Sequence, residues 1–147
     1  MISRRTVLAG ASLLTPAIAF AANPPMTVYK TAACGCCDGW ITLMQRAGYR
    51  LNVVVVEDVG PLHERYRVPV ELSSCHLATI GGYVTVGHVP AGDIARLLKE
   101  RRKALGLTVP GMPLGSPGME MPDGRKEAYN TLLLLPDGKT RVFAKHY

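Results

Sequence analysis

The chain has 147 residues, a net charge of +6, and 48% hydrophobic against 19% charged residues. That composition supports one packed domain, leaves little room for a second, and excludes a disordered tail. Two of the positive charges are Arg4 and Arg5, and the aromatics are two Phe, one Trp and six Tyr. Neither the charge nor the aromatic content argues for nucleic-acid binding.

Residues 1–22 read as an export signal peptide. A short charged segment, Met1 to Arg5, precedes the apolar run Val7 to Ala21, and Ala19-Phe20-Ala21 is a small-residue cleavage pattern. The run is shorter than the ~20 residues that span a bilayer, so no permanent membrane anchor is expected. Ser3-Arg4-Arg5 followed by Val7-Leu8 fits a twin-arginine address. Cleavage is expected near Ala21 or Ala22, with delivery to the periplasm, an oxidising compartment that permits disulfides. Residues 23–147 then form the single domain.

Met26 to Lys30 is strand-like, Thr31 to Cys37 is a Gly/Cys turn, and Trp40, Leu43, Met44 and Ala47 mark one face of a helix capped at Gly48. Leu51 to Val56 is a nearly continuous apolar run, the pattern of a strand buried on both faces in the centre of a sheet. Asp58 can open a short helix over Pro61 to Tyr66, where His63 is expected to be solvated. Leu77 to Ile80 and Tyr83 to Val86 flank Gly81-Gly82, a hairpin signal. Ile94, Leu97, Leu98 and Leu105 mark another helix with Arg101, Arg102 and Lys103 on its solvent side. Val109 to Gly124 is a long loop in which half the residues are Pro or Gly, and it carries Met112, Met119 and Met121. Leu132 to Leu135 and Thr140 to Ala144 flank Pro136-Asp137-Gly138-Lys139 and predict a closing hairpin.

Strand, Cys turn, helix, strand, short helix, hairpin, helix is the order of the thioredoxin fold. The expected class is therefore α/β: a thioredoxin-like sheet with flanking helices, a Pro/Gly/Met-rich loop and a C-terminal hairpin. In that topology the loop holding Ser73-Ser74-Cys75-His76 faces the Cys turn, so Cys75 is expected to join Cys34, Cys36 and Cys37.

Cys34 and Cys37 have redox-motif spacing at a helix N-terminus, where unpaired N–H groups lower a thiol pKa. A disulfide oxidoreductase would need no more. Cys36 inside the pair and Cys75 outside it point instead to a metal nest. Adjacent Cys36 and Cys37 suit a single tetrahedral zinc poorly, whereas soft Cu(I) accepts few sulfur ligands and shared thiolates. His76 follows Cys75 directly, His88 sits in Gly87-His88-Val89-Pro90, and Met112 or Met119 could close a thioether over the site. His146 could take part only if the tail folds back. The alternative for the cysteines is two structural disulfides, Cys34–Cys37 and Cys36–Cys75. Met44 is read as core, and Trp40 as a packing anchor beneath the Cys turn.

The segments Val28-Tyr29-Lys30-Thr31, Cys34 to Trp40, Ser74-Cys75-His76, Gly81-Gly82-Tyr83, Gly87 to Pro90 and Gly111 to Glu120 together resemble the CopG-like family. Its members are exported bacterial proteins associated with copper-resistance gene clusters. The resemblance spans about Met26 to His146. It implies a thioredoxin-like fold, copper bound by Cys34, Cys36, Cys37 and Cys75, and a role in copper resistance, with Cu(I)/Cu(II) oxidoreduction in the periplasm proposed for the family. His76 and His88 match recurring histidines. Copper, as Cu(I) and in a multinuclear cluster, is the expected cofactor, with other periplasmic copper-handling proteins as partners. The alternative function is thiol–disulfide oxidoreduction of the thioredoxin class.

Overall fold

A computed structural model describes residues 23–147. The signal-peptide reading of residues 1–22 lies outside the described residues. Ten regular elements follow in order: β1 (Met26–Lys30), α1 (Gly35–Arg46), β2 (Leu51–Val55), α2 (Gly60–Arg65), β3 (His76–Ile80), β4 (Tyr83–Gly87), α3 (Ala91–Glu100), β5 (Gly106–Val109), β6 (Tyr129–Leu134) and β7 (Thr140–His146), with a short 3₁₀ turn at Val70–Leu72. The strands make one mixed sheet in the order β2-β1-β3-β4-β5-β6-β7. The fold is α/β. No described helix is long and apolar enough to cross a membrane.

The first helix forms where the Cys turn ends. Its buried stripe is Cys37, Trp40, Ile41 and Met44, spaced i, i+3, i+4, i+7 as one helical face requires. Ile41 belongs to that face and Ala47 is exposed, so the stripe lies slightly off the one expected. Gly48 ends the helix with φ of 86°. The N–H groups of Gly48 and Tyr49 return to the carbonyls of Gln45 and Met44, a Schellman closure that favours glycine at this position. Trp40, Met44, Ile94 and Leu97 share one core cluster with Met26 and Val28. Leu77, Val84, Val86 and Leu134 form a second with Val68 and Leu72.

Three expectations change. Strand β2 is an edge strand rather than a central one, and Val53 and Val55 are 41% and 61% exposed. A β-branched run supports a strand at either place, and its pattern alone does not say how many neighbours it has. Leu105 does not extend α3. Arg101 turns the chain out of the helix in the left-handed region (φ 50°), and Gly106 starts β5, which the sequence reading merged with the helix and loop. His63 is buried instead of solvated. The Gly81-Gly82 hairpin is as expected, both glycines having positive φ, the backbone of a type I′ turn. The closing hairpin forms as β6 and β7.

Register places the functional segments. Lys30 at the end of β1 pairs with His76 at the start of antiparallel β3. Antiparallel β4 then ends at Gly87, and parallel β5 ends beside it in the pair Gly87–Val109. The Cys turn, Cys75, His88 and the Gly111-Met112 segment therefore all emerge at one end of the sheet.

Candidate metal centre

The four cysteines come together as expected. Cys34 and Cys37 are joined in a disulfide with Cα atoms 5.4 Å apart, while Cys36 and Cys75 are free thiols. The Cys36 Sγ lies 3.6 Å from Cys34 Sγ and 3.8 Å from Cys75 Sγ, and Cys75 Sγ is 3.6 Å from Cys37 Sγ. Two overlapping groups of donor atoms result, each within 4.8 Å: Cys34, Cys36, Cys37 and Cys75, and Cys75, His76 and His88. Cys75 belongs to both.

His88 is oriented by the Pro/Gly loop. Its Nδ1 is 2.7 Å from the Pro117 carbonyl oxygen and its Nε2 is 3.4 Å from Cys75 Sγ. A carbonyl only accepts, so Nδ1 carries the proton and Nε2 of the neutral ring offers a lone pair to the site. Burial lowers the His88 pKa, opposed by the Pro117 carbonyl and by Glu120. His76 is fully buried, 4.6 Å from the Trp40 ring and 5.2 Å from the His88 ring. Burial, and then the neighbouring His88, push its pKa down to about 3. Its Nδ1 is 3.5 Å from Cys75 Sγ, and its Nε2 has no hydrogen-bond partner among the described residues. Burial and the adjacent Cys36 raise the Cys75 thiol to about 11. Burial thus favours the neutral forms of this thiol and of both imidazoles.

Packing fixes the frame. Trp40 Nε1 donates to the Val89 carbonyl at 2.9 Å, tying α1 to the residue after His88. Buried Lys30 pairs with Asp38 in the first turn of α1. The Pro/Gly loop reaches α1 through glycines: a Cβ on Gly39 would lie 3.1 Å from Gly118 Cα, and one on Gly118 would lie 2.6 Å from the Trp40 backbone nitrogen. Met112, at φ of 47°, brings its Sδ to 3.9 Å from Cys36 Sγ. Met119 makes no such contact with a thiol among the described residues. Its N–H and carbonyl close the loop on Ser116 and Gly115.

His146 does fold back, but onto a different cluster. Its Nε2 lies 2.9 Å from the Asp93 carboxylate, which also accepts from Thr131 Oγ1 at 2.6 Å.

Thiols and a thioether are soft donors of the kind that take Cu(I), Zn or iron–sulfur centres, and imidazole suits Cu, Zn, Fe and Ni. The residues present therefore fit copper. Residues 72–119 match a family model described as a protein of unknown function, DUF411. No curated protein matches the chain. Two solved structures do. "Copper resistance protein copG- Form 1" is 40% identical with a TM-score of 0.79, covering 84% of this chain and 98% of its own. Form 2 of the same protein is 39% identical with a TM-score of 0.80, covering 85% and 99%. The chain belongs to the CopG family. This CopG-family chain accordingly has a copper-related role and a cysteine cluster able to hold a metal. Sequence reasoning missed the contribution of Pro117, which acts through its backbone carbonyl and so leaves no side-chain signal.

Proposed function

We propose that this protein is a periplasmic copper-binding protein that holds Cu(I) on Cys34, Cys36, Cys37 and Cys75 once the Cys34–Cys37 disulfide is reduced, and so protects the cell envelope from copper. His88 and Met112 complete the coordination, and His76 supports it from within the core. The observation that carries this reading is the approach of Cys75 to within 3.8 Å of Cys36 and 3.6 Å of Cys37 across 39 and 38 residues of chain. Metal–thiolate bonds are ~2.3 Å long, so sulfurs at these separations can share an ion with little movement. Adjacent thiolates bridging several ions give a cluster. Cys75, shared with the two histidines, adjoins a nitrogen-richer position that accommodates Cu(II), which supports interconversion of the two oxidation states. The N-terminal leader supports export. The β2-β1-β3-β4 order, with α1 opening at the Cys turn, supports a thioredoxin-like reading of the fold.

The test is anaerobic Cu(I) titration of the reduced, purified protein. At least one tightly held ion per chain is expected, with loss on Cys36→Ser and on Cys75→Ser. A stoichiometry near zero, or unchanged binding in both variants, would end this reading.

The Cys34–Cys37 disulfide favours one rival, a thiol–disulfide oxidoreductase. Insulin reduction separates the two. Strong metal-free activity that survives Cys36→Ser would support the rival.

A further inference from the structure

The end of the sheet away from the cysteines carries a charge pattern that the metal centre does not use. We propose that this end is a docking surface for the anionic phospholipid headgroups of a bilayer, and that it holds the protein peripherally with its metal centre facing away from the membrane. The inference goes beyond the copper-binding reading and shares with it only the expectation of export.

Register defines that end. Met26 opens β1 opposite Leu51 of β2 and Ile80 of β3, Gly106 opens β5 opposite Val84 and Leu134, and Thr140 opens β7 opposite Leu134. The turns that lead into these positions bring Arg46 and Arg50 from the junction of α1 and β2, and Lys99, Arg101 and Lys103 from the junction of α3 and β5, while Arg141 follows Thr140. All are exposed, and none pairs with a carboxylate among the described residues. Glu100 and Asp137 at the same end pair instead with Arg96, Arg102 and Lys139. The end that carries the cysteines differs in sign: exposed Asp38 sits in the first turn of α1, Glu57 and Asp58 follow β2, and Glu71 precedes Cys75. Strands of five residues set the two ends ~17 Å apart, beyond the Debye length of ~8 Å at physiological salt. An anionic surface therefore attracts one end with little opposition from the other, and the molecule is oriented.

Two further observations select a bilayer over an acidic protein. A surface cavity of about 720 Å³ at this end is walled by Pro24, Tyr83, Ala95 and Leu98 beside Lys99 and Arg101. Cations next to an apolar wall match a lipid headgroup, whose phosphate adjoins apolar chains. Asn23 and Pro24 line the same cavity, so the chain runs toward residues 1–22 from this end. An export leader engages the bilayer through its apolar run, which brings the basic end to the membrane as the protein is delivered.

The experiment floats the protein, purified after export, with lipid vesicles. Vesicles of phosphatidylglycerol and phosphatidylethanolamine are expected to carry it at about 0.1 M salt and to release it at about 0.5 M, where screening is stronger. Vesicles of phosphatidylcholine alone should not carry it. Lys103→Glu/Arg141→Glu should bind the anionic vesicles at least about tenfold more weakly. Arg125→Glu/Lys126→Glu changes the net charge by the same amount on the loop beside the metal centre and should bind as the wild type does. No binding to anionic vesicles, binding that ignores salt, or equal loss in both variants would overturn the proposal. Binding of soluble polyglutamate without binding of vesicles would also overturn it and assign the surface to an acidic protein. The salt series on the wild type decides the matter even if a variant does not fold. Cu(I) titration of the same preparations reads the metal centre separately. If Cu(I) binds but vesicles do not, only this inference fails; if vesicles bind but Cu(I) does not, only the copper-binding reading fails.

Discussion

His88 illustrates how a backbone atom sets side-chain chemistry. The Pro117 carbonyl accepts the Nδ1 proton at 2.7 Å, and the opposite nitrogen is thereby left free for Cys75 or a metal. Long-range ¹⁵N–¹H spectra of the metal-free protein should report the Nδ1–H tautomer for this ring. An Nε2–H pattern would show that the carbonyl does not control it. Three of the histidines give a pH dependence. Burial lowers the pKa of His63, His76 and His88, in the case of His76 to about 3. In the unfolded chain each titrates near the ordinary value of ~6.5. Below that pH the unfolded state binds more protons than the folded one, so stability falls as pH drops from about 6.5 toward about 3. Urea midpoints of metal-free protein should decrease from pH 7 to pH 4.5, and less steeply in His76→Asn; equal midpoints would contradict this. The convergence of Cys75 on the other cysteines was legible because cysteine is chemically distinctive. The burial of His63 was not: a six-residue helix, Gly60–Arg65, is too short to show periodicity, and Glu64 and Arg65 beside it look like solvated surface.

Individual elements show where an apolar pattern stops being informative. Leu51–Val55 was legible as a strand, but its place at the sheet edge depends on pairing with β1 alone. That placement makes a prediction. Val55 is 61% exposed, so Val55→Lys should change unfolding free energy by less than about 0.5 kcal/mol, and it should reduce edge-to-edge aggregation. A loss of several kcal/mol would place the strand inside the sheet. Strand β5 was illegible for another reason. Helix α3 ends on Arg101 in the left-handed region rather than on glycine, so the usual stop signal is missing. The Pro/Gly loop was legible as special, while its docking on α1 was not, because contact between Gly39 and Gly118 leaves only an absence of side chains in the sequence. Gly118 has φ of +89°, and a Cβ there would lie 2.6 Å from the Trp40 backbone nitrogen and 2.8 Å from the Cys36 carbonyl oxygen. Gly118→Ala should therefore lift the loop from α1. It should cost at least about 1 kcal/mol in urea denaturation and give a mixture of His88 tautomers. Unchanged stability and an unchanged tautomer would show that the contact positions nothing.

Across the whole molecule, sheet topology turns a sequence separation of almost 40 residues into sulfur contact. Because β1 and β3 are antiparallel with Lys30 opposite His76, the Cys turn and Cys75 meet at one end of the sheet only when the chain is folded. This has a thermodynamic consequence. An ion that binds native and unfolded chains equally leaves stability unchanged, whereas one that binds only the native chain stabilises it by RT ln(1 + [L]/Kd). Cys34, Cys36 and Cys37 lie within four residues and can capture Cu(I) in either state. Cys75, His88 and Met112 are added only by folding. With free Cu(I) at about 100 times the native-state Kd, the stabilisation has an upper bound of about 2.7 kcal/mol, or roughly 5–10 °C in Tm, and falls below it by as much as the local cysteines bind the unfolded chain. In Cys75→Ser, binding leans more on the local cysteines and is less selective for the native state, so the shift should fall well below the wild-type value even where some Cu(I) is still bound. Anaerobic thermal unfolding of both proteins, each with and without Cu(I), measures the difference. An equal Tm rise in the two would mean that the fold is not what assembles the site.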